Sequence, residues 1–382
     1  MDIWLLIIYI LLGTQLVVFI PLAAAWMLYE YPHRDKNEKA YRPKVSIIVC
    51  ARNEAENLRS NLDYLLQQQY PSFEVIVVND CSTDLTAKVL EVFMHRHHNL
   101  KVVTIEGEVG NKKKALDVGI RAATHNIILV TDADCRPASP FWVQAMINCF
   151  DNETDIVLGF SPYATQKGLL NKIIRFETLY TAFLYGGMAL LDMPYMGVGR
   201  NLAYRKSIYL NSKARYKYAF TLSGDDDLLV NEMANRNNTA ICAVSEGIVR
   251  SKPKTDWSSW WHQKRRHTNA GVHYNLTSQI FLSIVYLTNI LLYALIFKLL
   301  IASFFGTPQF IVYAGGLLLI RLIILLVGLP VPINVLEQAS LLPFVLICDF
   351  LLSVFLFSLG LLAAIKVSTW NNYHHHNVRK KT

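Results

Sequence analysis

The sequence predicts an α/β domain with a largely parallel sheet, flanked by apolar segments that can cross a membrane. Three observations carry this expectation. Between about Val45 and Phe160, short aliphatic runs alternate with amphipathic stretches, as strand–helix–strand units do. Uncharged runs occupy both ends of the chain. Two aspartates, Asp132 and Asp134, follow an apolar run directly, where such sheets collect their ligands.

The elements can be placed in order. Val45–Cys50 reads as a buried strand. Glu54–Gln69 reads as a helix with Leu58, Leu62, Leu65 and Leu66 on one face, stopped by Pro71. Val75–Val78 is the second strand, followed by the turn Asn79-Asp80-Cys81-Ser82 and a helix from Asp84 to His95. A strand at Val102–Ile105 and a helix at Asn111–Ala123 lead to the strand Ile127–Thr131, which delivers the aspartate pair. Right-handed crossovers then bring Asn53, Asp80, Asp132 and Asp134 to one sheet edge. Leu169–Leu191 is apolar and aromatic, suited to packing on the sheet or to a membrane interface. Trp257, Trp260 and Trp261 are expected as interfacial anchors.

Of the 382 residues, 53% are hydrophobic, and the excess sits at the ends. Ile3–Tyr29 carries no charge, and about 20 apolar residues cross a bilayer. It is too long for a signal-peptide core and lacks a small-residue cleavage site. Ile280–Phe297, Leu299–Ile320 and Leu322–Leu336 are also uncharged, and Ala339–Ile365 carries only Asp349. We read a span in residues 1–29, a soluble region at 30–278, about three hydrophobic segments in 279–366 and a basic tail at 367–382. Arg34, Lys36, Lys39, Arg42 and Lys44 follow the first span. They put the soluble region in the cytoplasm of a multi-pass protein of the cell (inner) membrane. Three further crossings would leave the tail outside, although it carries Lys366, Arg379, Lys380 and Lys381. The run broken by Arg321, near Gly315-Gly316 and Pro330/Pro332, is therefore expected to be interfacial or re-entrant. Cys50, Cys81, Cys135, Cys149, Cys242 and Cys348 form no zinc pattern and suit reduced thiols. The net charge of +8 suits membrane lipids and acidic substrates. No long positive stripe marks a nucleic-acid binder.

An aspartate pair by itself is more often a turn or helix cap than a site. Its oxygens nevertheless suit Mg2+ or Mn2+, which neutralises a departing diphosphate. Asp80 can accept hydrogen bonds from a nucleobase or ribose, while Ser82 or Thr83 caps the next helix and Asp84 favours its N-terminus. Lys112, Lys113 and Lys114 can meet phosphate or simply solvate a helix start. In Ser223-Gly224-Asp225-Asp226-Asp227, three carboxylates repel one another, which suits a base for an acceptor hydroxyl. An acidic loop capping a helix from Leu228 is the plainer alternative. Gln263-Lys264-Arg265-Arg266-His267 offers donors to a diphosphate or a basic anchor to anionic lipid. His374-His375-His376 reads as a solvated tail.

In order, these segments resemble membrane-bound glycosyltransferases of family 2, over about Val45 to His267. Lys44–Glu54 is similar to the family's opening strand and Asn-Glu turn, Val78–Asp84 to its nucleotide-binding turn, and Gly110–Leu116 to its lysine-containing segment. Asp132-Ala133-Asp134 is similar to its metal-binding DxD, and Gly197–Arg205 to its glycine-rich acceptor-side segment. Gly224–Asp227 stands where the family keeps its base, and Gln263-x-x-Arg266 matches its Gln-x-x-Arg-Trp motif. The resemblance implies a GT-A (Rossmann-like) cytoplasmic domain. It also implies inverting, metal-dependent transfer from a nucleotide sugar, a UDP sugar, to a lipid-linked or glycan acceptor. Asp226 is implied as base, with Asp225 close behind. Asn53, Glu54, Asp80, Lys112, Asp132, Gln263 and Arg266 are implied as nucleotide-sugar contacts, and Asp132 and Asp134 as metal ligands. His267 stands where the motif has tryptophan, which points to limited transfer rather than a processive polysaccharide synthase. Two other classes stay open. One is a silent membrane-anchored nucleotide-binding scaffold. The other is a transporter, since Lys298, Arg321 and Asp349 lie in or beside apolar runs.

Overall fold

The computed structural model describes residues 3–32, 42–213, 217 and 224–359. Arg34, Lys36, Lys39, Ser223, the histidine triplet and the basic tail lie outside them, as does the side chain of Asp225. The described chain opens with helix α1 (Ile3–Met27). Strands β1 (Val45–Ala51), β2 (Phe73–Asp80), β3 (Leu100–Ile105) and β4 (Ile127–Asp132) then alternate with helices α2 (Ala55–Leu66), α3 (Thr86–Arg96) and α4 (Lys112–Ala122). Next come β5 (Cys135–Pro137), α5 (Trp142–Asn148), β6 (Ile156–Leu158), α6 (Leu169–Leu190), β7 (Leu202–Arg205) and α7 (Lys206–Asn211). After the undescribed stretch follow α8 (Asp225–Met233), β8 (Thr239–Ile241), β9 (Val249–Ser251) and α9 (Trp257–Gly271).

The main sheet is ordered β3-β2-β1-β4-β7-β6-β8. β1 to β4 are parallel, and β6 and β8 run the same way, so the sheet is largely parallel, with β7 as an antiparallel strand between β4 and β6. β1 and β4 are almost continuously aliphatic because helices cover both faces of a parallel sheet. Leu58, Leu62, Leu65 and Leu66 of α2 are buried against it. α6 packs within this domain: the Tyr185 hydroxyl donates to the Gly159 carbonyl at 2.8 Å, and its ring stacks on Phe160.

Two compact units divide the chain. One comprises Ile20–Gln279 and Gly328–Ser340, and the other Met1–Phe19, Ile280–Val327 and Leu341–Thr382. Among the described residues, four helices are long and apolar enough to cross a membrane: Leu6–Met27, Leu276–Phe304, Phe310–Gly328 and Ala339–Leu359. They do not follow the charge-bounded runs. Lys298 lies inside α10 (Leu276–Phe304), and Arg321 inside the continuous α11 (Phe310–Gly328). The run with Arg321 is continuous helix, long and apolar enough to cross a membrane. Pro330 and Pro332 stand beyond it in the six-residue α12 (Pro330–Val335). This stretch belongs to the sheet-bearing unit, where Arg175 donates to Gln338 Oε1 at 2.6 Å and Ser340 Oγ at 2.8 Å.

In the apolar unit, Arg321 is fully buried and forks onto Asp349, at 2.8 and 2.7 Å. Tyr293 also donates to Asp349 at 2.7 Å, and Arg321 donates to Gln15 at 3.3 Å. Of the charges that admitted a transporter, Arg321 and Asp349 thus neutralise each other. Removing one partner strands the other, at a cost of about 3–5 kcal/mol. Asp349→Ala should lower the thermal midpoint of the detergent-solubilised protein sharply, and Arg321→Met combined with Asp349→Leu should restore most of it.

Candidate active site

The first site residues stand where the parallel strands end. Cys50 of β1 is level with Val78 of β2 and with Asp132 of β4, so three strand ends face one edge. Asn53 adopts φ 55°, a left-handed conformation that asparagine tolerates. Its side-chain oxygen accepts the Thr83 N–H at 2.8 Å, while its own N–H donates to Ser82 Oγ at 3.0 Å. Glu54 N–H donates to Thr86 Oγ1, and Ala55 N–H to Asp84 Oδ2. Ser82 and Thr83 therefore do not cap α3, as the sequence suggested; they tie the β2 turn to the start of α2. Asp84 serves α3, accepting the Thr86 N–H at 2.9 Å. Asp80 is 4% exposed. Gly110 passes close over it, for a Cβ there would lie 2.8 Å from Asp80 Oδ2 and 2.6 Å from Arg52 Cδ.

Asn111 caps α4 by accepting the N–H groups of Lys113 and Lys114. This fixes the lysine segment opposite β4, and Lys112 Nζ reaches Asp132 Oδ1 at 2.8 Å. Asp132, Asp134 and Cys135 each offer a ligand atom, all within 4.8 Å of one another. Burial would raise the Asp132 carboxyl, but Lys112, with Arg200 behind it, holds it below 3.8. Burial and the Asp132 charge push Asp134 above its ordinary 3.8. Burial raises Glu54 above 4.5, with Asp134 and Asp132 adding to the rise. Two clustered carboxylates, one already drawing an ammonium, fit a hard divalent cation such as Mg2+ or Mn2+.

α9 brings the remaining predicted donors. Asp256 caps it by accepting the Ser259 N–H at 2.8 Å. Trp260 is fully buried, so it is a core residue and not an interfacial anchor; Trp257 is exposed. Lys264 pairs with Glu177 of α6 at 2.6 Å. Gln263 donates to the Tyr163 hydroxyl at 3.1 Å, and the Arg200 guanidinium lies 4.4 Å above the Tyr163 ring. Desolvation by the surrounding protein, then the charges of Lys264, Arg200, Arg266 and Lys112, press His267 well below 6.5. His267 is exposed to solvent, so the four cations, more than burial, favour its neutral imidazole.

The acidic triplet does not form a loop ahead of a helix at Leu228. α8 begins at Asp225, after Gly224 in the left-handed region at φ 87°. The carboxylates thus occupy a helix's first turn, where its dipole favours negative charge. Leu228, Leu229 and Val230 are buried and anchor the helix. The Asp226 carboxylate lies directly against Gly199, filling the space a Cβ would need. Gly199, Arg200 and Tyr163 join the candidate residues only through the structure. Gly197–Arg205 had marked the segment, but not which of its residues turn inward.

Comparison with known proteins bears on the family and the fold. Residues 46–210 match glycosyl transferase family 2. "Probable glycosyltransferase YdaM" of Bacillus subtilis is 27% identical over 237 residues, 59% of this chain and 54% of its own length. A poly-beta-1,6-N-acetyl-D-glucosamine synthase of Staphylococcus epidermidis is 33% identical over 146 residues, 37% of this chain and 34% of its own length. The chain thus spans about half, or less, of these relatives. Among solved structures, the mannosyltransferase PcManGT from Pyrobaculum calidifontis, in complex with GDP-Man and Mn2+, superposes with a TM-score of 0.58 at 19% identity. That match covers 92% of this chain and 98% of the other. The chain carries a family 2 glycosyltransferase domain with the GT-A fold.

Proposed function

We propose that the protein transfers a sugar from a nucleotide sugar, a UDP sugar, to a lipid-linked or glycan acceptor at the cytoplasmic face of the cell membrane. Transfer inverts the anomeric centre and is not processive. The observation that carries this is the convergence of Asp80, the Asp132/Asp134 pair and Asp226, held by different strands and a helix yet linked through Gly110, Lys112 and the Gly199-Arg200 turn. The nucleotide sugar and the manganese named for the Pyrobaculum enzyme support the donor class and the metal. The basic residues from Arg34 to Lys44 support the cytoplasmic side. His267 in place of tryptophan supports limited transfer.

In this reading Asp80 accepts hydrogen bonds from the nucleobase or ribose, beside Asn53 and Glu54. Asp132 and Asp134 hold a Mg2+ or Mn2+ ion, which, when bound, neutralises charge on the departing diphosphate. Lys112 and Arg266 donate charge-assisted hydrogen bonds to phosphate oxygens, and Gln263 lines the same side. Asp226 takes the acceptor hydroxyl's proton as that oxygen bonds to the anomeric carbon. The bond from that carbon to the diphosphate breaks, and the nucleoside diphosphate departs with the electron pair. Base and leaving group lie on opposite faces of the sugar, so the configuration inverts.

A donor screen on membranes, with mass spectrometry of the lipid fraction, tests the reading directly. Asp226→Asn should keep nucleotide binding and lose transfer by about 100-fold or more; full transfer would move the base to Asp225. Asp132→Ala should abolish the metal-dependent part of nucleotide binding, measured by calorimetry with and without Mn2+. Gly199→Ala should displace the Asp226 carboxylate and cost transfer about 100-fold, with nucleotide affinity unchanged. Unaltered turnover in that variant would show that Asp226 is not the group that must sit there.

A further inference from the structure

We propose that Arg200 binds the diphosphate of the nucleotide, as a fixed fork between the aspartate pair and the segment that supports the base. The inference rests on the nucleotide-sugar reading above and assigns a residue which that reading does not use. Arg200 Nη1 is buried and has no hydrogen-bond partner among the described residues. Buried guanidinium donors are ordinarily satisfied, and an unmet one in a cleft marks a place where something else completes it.

The guanidinium is held from several sides. Its plane lies 4.4 Å above Tyr163, whose hydroxyl is held by Gln263. The Arg200 carbonyl accepts the Thr131 hydroxyl at 2.9 Å, one residue before Asp132. Its neighbour Asn201 is fully buried, accepts the Trp142 indole N–H at 3.0 Å and donates to the carbonyls of Phe160 and Gly247. The backbone therefore cannot swing, and the side chain is braced against an aromatic face. Such a group loses little freedom when it takes up a ligand.

Its position selects the ligand. The carboxylates whose charge bears on Arg200 are Asp132 and Asp134. Among the described residues it nevertheless makes no ion pair with either aspartate, so its fork is not consumed by them. The residue before it carries Asp226 on its open side. One turn thus faces the candidate base with Gly199 and the candidate diphosphate site with Arg200. A planar fork matches two oxygens of one phosphate, which an ammonium does not. An anion on the acceptor is the other ligand of this chemistry, but Arg200 lies on the Asp132/Asp134 side of the turn.

The test uses the full chain in detergent micelles. UDP and UMP are titrated calorimetrically in the presence of Mn2+, and Mn2+ alone is followed by electron paramagnetic resonance. Arg200→Ala should weaken UDP about 10- to 100-fold while changing UMP and Mn2+ alone by less than about threefold. Arg200→Lys, which keeps the charge and the fold, should recover only part of the loss. Equal UDP affinity in either variant overturns the proposal. So does an equal loss for UDP and UMP, or tighter Mn2+ binding with UDP unchanged, which would make Arg200 a charge compensator only. Wild-type protein that binds no UDP would instead refute the donor reading itself.

Discussion

Three carboxylates, those of Glu54, Asp132 and Asp134, stand just beyond the carboxyl ends of the adjacent strands β1 and β4, and their repulsion is the constraint the domain answers. An unfolded chain keeps them apart. The fold forces them together because the aliphatic residues of β1 and β4 are buried and the two strands are in level register. Burying Val45, Ile47, Ile48 and Val49 to 0% exposure is worth about 1.5–3 kcal/mol for each large side chain, enough to hold the acids close. The positive charge comes from the connections. Asn111 caps α4 so that Lys112 reaches Asp132, and the turn before β7 brings Arg200. The Lys264–Glu177 pair fixes α9 with Arg266 nearby. The compensation is incomplete, since the Glu54 and Asp134 carboxyls remain raised. A divalent cation held there would supply what Lys112 and Arg200 do not.

How much of this was legible in the sequence depends on how local each signal is. The strand ends bearing Asn53, Asp80 and Asp132 were legible because each follows an aliphatic run and the crossover rule fixes their common edge. Arg200 was not, because it lies in a turn with no periodicity and its partners Thr131 and Tyr163 are far away in sequence. The direction of β7 was equally hidden: four residues do not state whether a strand enters parallel or antiparallel. Trp260 was misread because three tryptophans ahead of a basic cluster suggest a bilayer boundary. Spacing does not separate them, since Trp257 and Trp260 lie one turn apart with their rings in edge contact, yet Trp260 is buried and Trp257 exposed.

The apolar helices show a different failure of local reading. Segmenting the C-terminal part at its charges put breaks at Lys298 and Arg321, where the structure has continuous helix. A charge ends a membrane helix only if nothing neutralises it, and sequence alone does not display the neutraliser. Arg321 finds Asp349, 28 residues on, and the fork to that carboxylate is completed by Tyr293 and Gln15. The real break comes at Leu329-Pro330, where proline removes a donor and restricts the residue before it.

His267 shows how the cationic side of the site constrains its own composition. Lys264, Arg266, Arg200 and Lys112 all act on this ring. Four positive charges suit a diphosphate, but they make a fifth costly unless the anion is present. A lysine or arginine at this position would add that charge permanently. A histidine does not, because those charges favour its neutral imidazole. The position that the family motif gives to an uncharged indole thus holds a ring that adds no permanent charge. The ring is smaller and carries two polar nitrogens, so it changes the shape and hydrogen bonding of the site.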